Sequence, residues 1–243
     1  MLIDNYADTV VSAIERIRAT QKEKILKAAE LVKKVIENDG LIYVFGCGHS
    51  HMLAEETFYR AGGLACVAPV FYEPLMLHEG AAESSRLEKQ DGLAEKVFEN
   101  CPITEKDLLI CSSTSGVNAV PVEFAKLAKE KGIPVVVITS SSYFDQKPKS
   151  KVGEHLYLQG DVWIDNMAPH GDACLEIEGV AVKMTPVSTM TGVFIINSIL
   201  AEGTSLAAKS GADIPVYLSG NIPGGAEYNK ALIERYSPRI KCL

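Results

Sequence analysis

Apolar residues recur at helical spacing from the start of the chain: Tyr6, Val10, Val11, Ile14 and Ile17, then Ile25, Ala29, Val32 and Ile36. Between the two sets Thr20-Gln21-Lys22-Glu23 reads as a capping box, so the pattern predicts two helices over residues 1–38. Asn38-Asp39-Gly40 is a stop signal, and Leu41 to Phe45 is a continuous apolar run of the kind a buried parallel strand needs. A glycine turn and a helix follow, ended by Gly62-Gly63. Ala65 to Val70 predicts a second strand, the stretch to residue 92 a loop with a glutamate-rich middle, and Leu93 to Phe98 a helix. "DLLICSSTSGVNAVPVEFAKLAKEKGIPVVVITSSS" then repeats strand, polar turn, helix, turn and strand.

Strands alternating with helices at this spacing predict right-handed crossovers and an α/β three-layer sandwich, its central sheet mostly parallel as in flavodoxin-like folds. Past residue 150 the pattern changes and does not read as another βα unit. Cys174 to Ile177 and Val180 to Met184 suggest a hairpin about Glu178-Gly179, and Ser188 to Lys209 a long helix buried on most sides, under the sheet or in a subunit contact. Ile214 to Leu218 suggests a last strand, and "GNIPGGAEYNKALIERY" a glycine loop entering a final helix. The expected organisation is one domain over 1–243: N-terminal helices (1–38), core βα units (39–150), then hairpin, apolar helix and C-terminal extension (151–243).

Composition narrows the function. At 47% hydrophobic and 23% charged, 243 residues suit a full globular core. A net charge of −7 without a basic cluster speaks against nucleic acid, and no signal-like leader or long uncharged apolar run speaks for a membrane. Six cysteines without a Cys-x-x-Cys pair fit a reduced, cytoplasmic protein.

The two most polar, glycine-bearing turns fall at predicted strand ends, where ligands sit in doubly wound sheets. One is Gly46-Cys47-Gly48-His49-Ser50; the other is Ser112-Ser113-Thr114-Ser115-Gly116 with Asn118 behind it. Hydroxyls and backbone N–H groups at helix starts would hold a phosphate through neutral donors. Neither turn has the lysine of a P-loop, and His51 stands where a dinucleotide fingerprint has its third glycine. The blander reading is that the serines only cap helices.

Strand–Gly-x-Gly-x-Ser–helix followed by strand–Ser-x-Ser-Gly–helix resembles the sugar isomerase (SIS) domain family over about residues 30–210. That resemblance implies a phosphosugar ligand, held by Gly48, His49 and Ser50 and by Ser113, Thr114, Ser115 and Asn118. It also implies a homo-oligomer, at least a dimer, to which the helix 188–209 offers a surface.

Both isomerisation of a sugar phosphate and elimination beside a carbonyl begin by removing a weakly acidic C–H, which takes a carboxylate or histidine base. His51, Glu55, Glu56, His78 and Glu79 are the candidates; Glu83 lies close by. "MLHEGAAESSRLEKQDG" is similar to the loop of N-acetylmuramic acid 6-phosphate etherases, with Glu79 at their acid/base glutamate. "HMLAEE" gives the His-x-x-x-Glu of phosphoheptose isomerases as His51 and Glu55, whereas aligning on Ala-Glu-Glu selects Glu56. The glutamine and histidine that complete the metal site of those isomerases are missing from "VSTMTGVFIINSILAEG". We therefore expect a sugar-phosphate isomerase acting through an enediol, with Glu79 and Glu55 or Glu56 as acid and base; the missing ligands speak against a zinc-type site, and no metal or other cofactor is assigned. Elimination from the sugar is the alternative, and a non-catalytic phosphosugar sensor the third. Glu55, Glu56 and Glu79 could also simply face solvent. Asp161, Asp165 and Asp172 read as turn chemistry before they read as an acidic cluster, and His155 and His170 have no assigned place.

Overall fold

The computed structural model describes residues 1–243 throughout. Helix α1 (Leu2–Thr20) runs almost directly into α2 (Lys22–Glu37). The capping box does not form. Thr20 Oγ1 donates back to Arg16 O at 2.8 Å, because a hydroxyl in a last helical turn has the i−4 carbonyl at hand, and no side chain caps α2. Gln21 is buried at the junction, where its Oε1 accepts the Asp165 N–H at 3.2 Å. The period holds on α2, whose Ile25, Ala29, Val32 and Ile36 are all buried; on α1 Val10 and Ile17 are buried but Val11 is exposed.

Five parallel strands, β1 (Ile42–Gly46), β2 (Val67–Pro69), β3 (Leu108–Ser112), β4 (Val135–Thr139) and β5 (Val162–Asp165), form a sheet of order β2-β1-β3-β4-β5. Every residue of β1, β3 and β4 is buried, which is why these strands read as unbroken apolar runs. Strand β5 corrects the expectation that the βα pattern stops at 150. No α-helix connects it to β4, only two 3-10 turns (Ser141–Tyr143 and Leu156–Gln159), so the period that betrays a crossover is missing.

Helices cover both faces. On one, α5 (Leu93–Glu99) and α6 (Ala119–Glu130) pack together, and Phe124 of α6 stacks on Phe45 of β1 with centroids 4.2 Å apart. On the other lie α1, α2, the short α3 (Met52–Thr57) and α7 (Ser188–Lys209). Helix α7 is long and apolar enough to cross a membrane by composition alone, yet it lies along α2 with Ile195, Ile196, Ile199 and Leu200 buried. The approach is close: a Cβ on Gly203 would stand 2.5 Å from Val32 Cβ.

Three further expectations are corrected. The glutamate-rich loop is helix α4 (Leu77–Leu87), broken at Gly80 (φ +152°); with a glycine break, small and charged residues around it and only Ser84 buried, the stretch reads as loop. The hairpin exists, but β6 (Ala173–Leu175) pairs with β7 (Met184–Pro186) through Ala173↔Pro186 and Leu175↔Met184, so residues 176–183 form a longer connection than a turn at Glu178-Gly179. The last strand is reduced to a single bridge, Leu64↔Val216, beside β2; helix α8 (Gly225–Tyr236) follows, with Tyr236 buried.

Candidate functional site

The end of β1 is shaped by its glycines. A Cβ on Gly46 would lie 2.6 Å from the Ser50 carbonyl, so glycine is what lets the 3-10 turn Gly48–His51 fold back onto the strand. Gly48 adopts φ +54°, and Ser50 N donates to Cys47 O at 3.0 Å. The turn leaves His49 exposed and Ser50 half-buried.

At the end of β3 a second turn is fastened to the sheet. Ser113 Oγ accepts the Gly116 N–H at 3.3 Å, and Thr114 O accepts the Ser140 N–H at 2.9 Å. Gly116 has φ +63°, with Thr139 Oγ1 2.6 Å from where a Cβ would be. Ser112 pairs with Gly46 across β3 and β1, so the two turns stand side by side. Between β1 and β3 the chain first goes outward to β2 and then returns, which makes this the point where the strand order reverses and a crevice opens.

Of the acid and base candidates, the structure joins His51 to Glu55. His51 is buried, with Nδ1 against Gly48 O and Nε2 3.2 Å from Glu55 Oε1. Glu56 points elsewhere and pairs with Arg60 at 2.5 Å. His78 and Glu79 lie 3.5 Å apart, both exposed, on α4, which packs against the Gly48–His51 turn. Glu83 pairs with Arg86 on the outer side of the same helix.

A residue absent from the candidates stands behind both turns. Glu88 follows α4; its carboxyl accepts the Asn118 Nδ2–H at 2.9 Å, and its backbone O takes the Val120 N–H of α6. Burial pushes its pKa up, against the lowering effects of the Asn118 bond and of Lys89 and Lys149. A glutamate directly after a helix end sits at the unfavourable pole of the dipole, but with α4 itself not legible in the sequence that position could not mark Glu88. Asn118 is the N-cap of α6 but does not cap it. Its amide is turned to Glu88, and its Oδ1 is buried without a partner, an acceptor facing no donor of the protein. The Cys47 thiol is pushed well up by burial, with Glu88 adding to it.

The aspartates do not cluster. Asp161 accepts the Val135 N–H, Asp165 the Met167 N–H, and Asp172 the Val187 and Ser188 N–H groups at the start of α7. His155 and His170 both bond Gln146, and the residue after His155, Leu156, donates its N–H to Gly116 O of the second turn at 2.8 Å. The glycine loop before α8 is held by Asn229, which bonds Leu218 N and O. No three His, Cys, Asp or Glu side chains converge in a way that could hold a metal ion.

Residues 5–140 match the family model described as SIS domain. A UPF0309 protein of Geobacillus thermodenitrificans is 44% identical over 243 residues, covering 100% of this chain and 98% of its own. Among solved structures, phosphoheptose isomerase GmhA from Neisseria gonorrhoeae superposes with TM-score 0.52 at 18% identity, over 84% of this chain and 97% of that one. The Vibrio vulnificus NanR protein, complexed with ManNAc-6P, superposes with TM-score 0.50 at 16% identity, over 98% of this chain and 69% of its own.

Proposed function

The chain belongs to the SIS-domain family, and from that premise we propose that it binds a sugar phosphate and isomerises it through an enediol, as a cytoplasmic homodimer. The observation that carries this reading is the pairing of two hydroxyl-bearing turns at the reversal of strand order, one with Ser50 and one with Ser113, Thr114 and Ser115. Neutral donors and helix starts hold the phosphate there without a lysine. The sugar then extends toward α4, where Glu79 removes the proton beside the carbonyl and a second group handles the oxygen. The His51–Glu55 pair on the first turn is one such group; Glu88, a carboxyl that burial inclines to keep its proton, is another.

A thermal-shift panel of heptose, hexose and N-acetylmuramate phosphates tests the binding step. A ligand at 100 times its Kd stabilises by about 2.7 kcal/mol, a rise of roughly 5–10 °C for a chain of this size. The wild type should show that rise and Ser50→Ala with Ser113→Ala should lose it; no rise with any phosphosugar sinks the reading. For chemistry, Glu79→Gln should keep the thermal shift while losing exchange of the α-proton with solvent deuterium. Loss of a leaving group in the product would mark elimination instead, and binding without exchange in the wild type would mark a sensor. A monomeric mass by light scattering would remove the dimer.

A further inference from the structure

A second cleft lies away from these turns. About 670 Å³ in volume, it lies outside the carboxyl ends of β4 and β5, between α1, the Ser140–Ser142 turn, the segment 165–169 and the β6–β7 hairpin, and no residue of 47–51 or 113–118 lines it. We propose that this cleft is a second binding site, for a small polyhydroxylated molecule carrying one anionic group, a carboxylate or a phosphate.

Three independent features meet there. The first is Arg16. The chain has six arginines, and Arg18, Arg60, Arg86, Arg235 and Arg239 each pair with a carboxylate. Arg16 is the one left over, exposed on α1 and lining the cleft. Its planar fork of donors suits a carboxylate or phosphate. The other cation of the lining, Lys183, is already 3.2 Å from Glu176.

The second feature is the polar floor. Ser140 and Ser142 bond Ala168 O and hold the turn in place, while Ser141 is exposed on it and Ser12 is exposed opposite on α1, hydroxyls suited to a polyol. Asp165 does not oppose an anion as a bare charge would, since its Oδ1 takes the backbone N–H groups of Ser141 and Met167. Asp8 is exposed on the first half of α1 and can meet ligand hydroxyls as an acceptor.

The third is backbone strain. Of the five non-glycine residues with positive φ, Met167 (+57°) lines the cleft, while Asp172 (+64°) and Thr185 (+70°) adjoin its lining residues Ala173, Lys183 and Val187. A β-branched threonine in this region is an outlier, and strain of this sort concentrates at ligand sites. The volume is that of an ordinary small-molecule pocket, placed where α/β sheets bind ligands.

Isothermal titration with gluconate and with glucose 6-phosphate tests the proposal on the intact chain, using wild type, Arg16→Gln, and Ser50→Ala with Ser113→Ala. Arg16 is exposed, so its replacement should leave the fold and melting temperature unchanged. The double variant should still bind one of the probes, and Arg16→Gln should weaken that binding about tenfold or more, the loss of a charge-assisted hydrogen bond. Which probe binds tells carboxylate from phosphate. Unchanged affinity in Arg16→Gln, or no binding of either probe by the double variant at millimolar concentration, overturns the second site. Because the cleft can itself hold a hexose phosphate, the thermal shift that reports on the two turns is read in the Arg16→Gln background, where its loss on adding Ser50→Ala and Ser113→Ala tests the proposed function separately from this site.

Discussion

The two ends of the sheet's crest meet the same backbone demand in different ways. At β1 and β3 the chain must turn sharply into a helix, and the left-handed positions are glycines, Gly48 and Gly116. At β4 and β5 no helix follows directly, and beside Gly153 and Gly171 the left-handed positions include three that carry side chains: Met167 and Asp172 after β5, and Thr185 in the β7 strand that packs beside them. Glycine adopts φ above zero without steric cost, so the first pair of turns carries no backbone strain for its hydrogen bonds to offset. The others stay because hydrogen bonds hold them. Asp172 shows how, with its carboxylate accepting Val187 N at 3.0 Å, Ser188 N at 2.8 Å and Ser188 Oγ at 2.6 Å, locking the chain to the start of α7. Polar turns built on glycine are local devices, whereas strained turns built on side chains are properties of the assembled fold.

Asp172→Ala should break the second end most severely. It removes an acidic cap from a 22-residue helix and leaves a residue at φ +64° with nothing to hold it, so a loss of about 2–3 kcal/mol is expected in urea unfolding. A loss below about 0.5 kcal/mol, the size of an ordinary surface change, would mean the strain is held elsewhere. Gly116→Ala attacks the first end. The left-handed conformation costs about 1–2 kcal/mol for a side chain, and the contact with Thr139 Oγ1 adds to it. Its melting temperature should fall by about 4 °C or more. An unchanged value would show the turn free to relax, against its fastening by Ser113 and Thr114.

Glu88→Gln probes the first end of the sheet through pH. The folded-state pKa of Glu88 is raised, so the folded chain holds this proton more tightly than the unfolded chain does. Its contribution is greatest below the unfolded pKa and is lost as pH rises through the folded pKa. Glutamine keeps the bond from Asn118 and has no proton to lose. The variant should therefore gain on wild type in melting scans from pH 4 toward pH 8, and a difference that does not grow with pH would show that Glu88 titrates normally. The smallest effect is expected for Met167→Gly, where relief of about 1 kcal/mol of strain is offset by about 0.5–1 kcal/mol of chain entropy. A large loss there would mean that the methionine side chain, not the backbone, shapes the second cleft.

Much of the first end was legible in the chain. Buried parallel strands need unbroken apolar runs, and sharp strand-to-helix turns need glycine, so β1, β3, β4 and both serine turns stand out in one dimension. The same local logic marked α2, α6 and α7, whose apolar faces repeat with the helical period. Helix α4 was hidden because it buries little and breaks at Gly80, and β5 because no crossover helix leads into it. Glu88 was hidden because its meaning lies in Asn118, thirty positions away in sequence and 2.9 Å away in space. The unpaired state of Arg16 depends likewise on where every carboxylate of the fold comes to rest. The periodic and conformational part of the structure is local, since hydrophobic pattern and glycine act over a few neighbouring residues. Burial of a charge, its partners and the cleft beside it were decided only by tertiary structure, because desolvation and hydrogen bonding depend on distances between segments that the chain order does not contain.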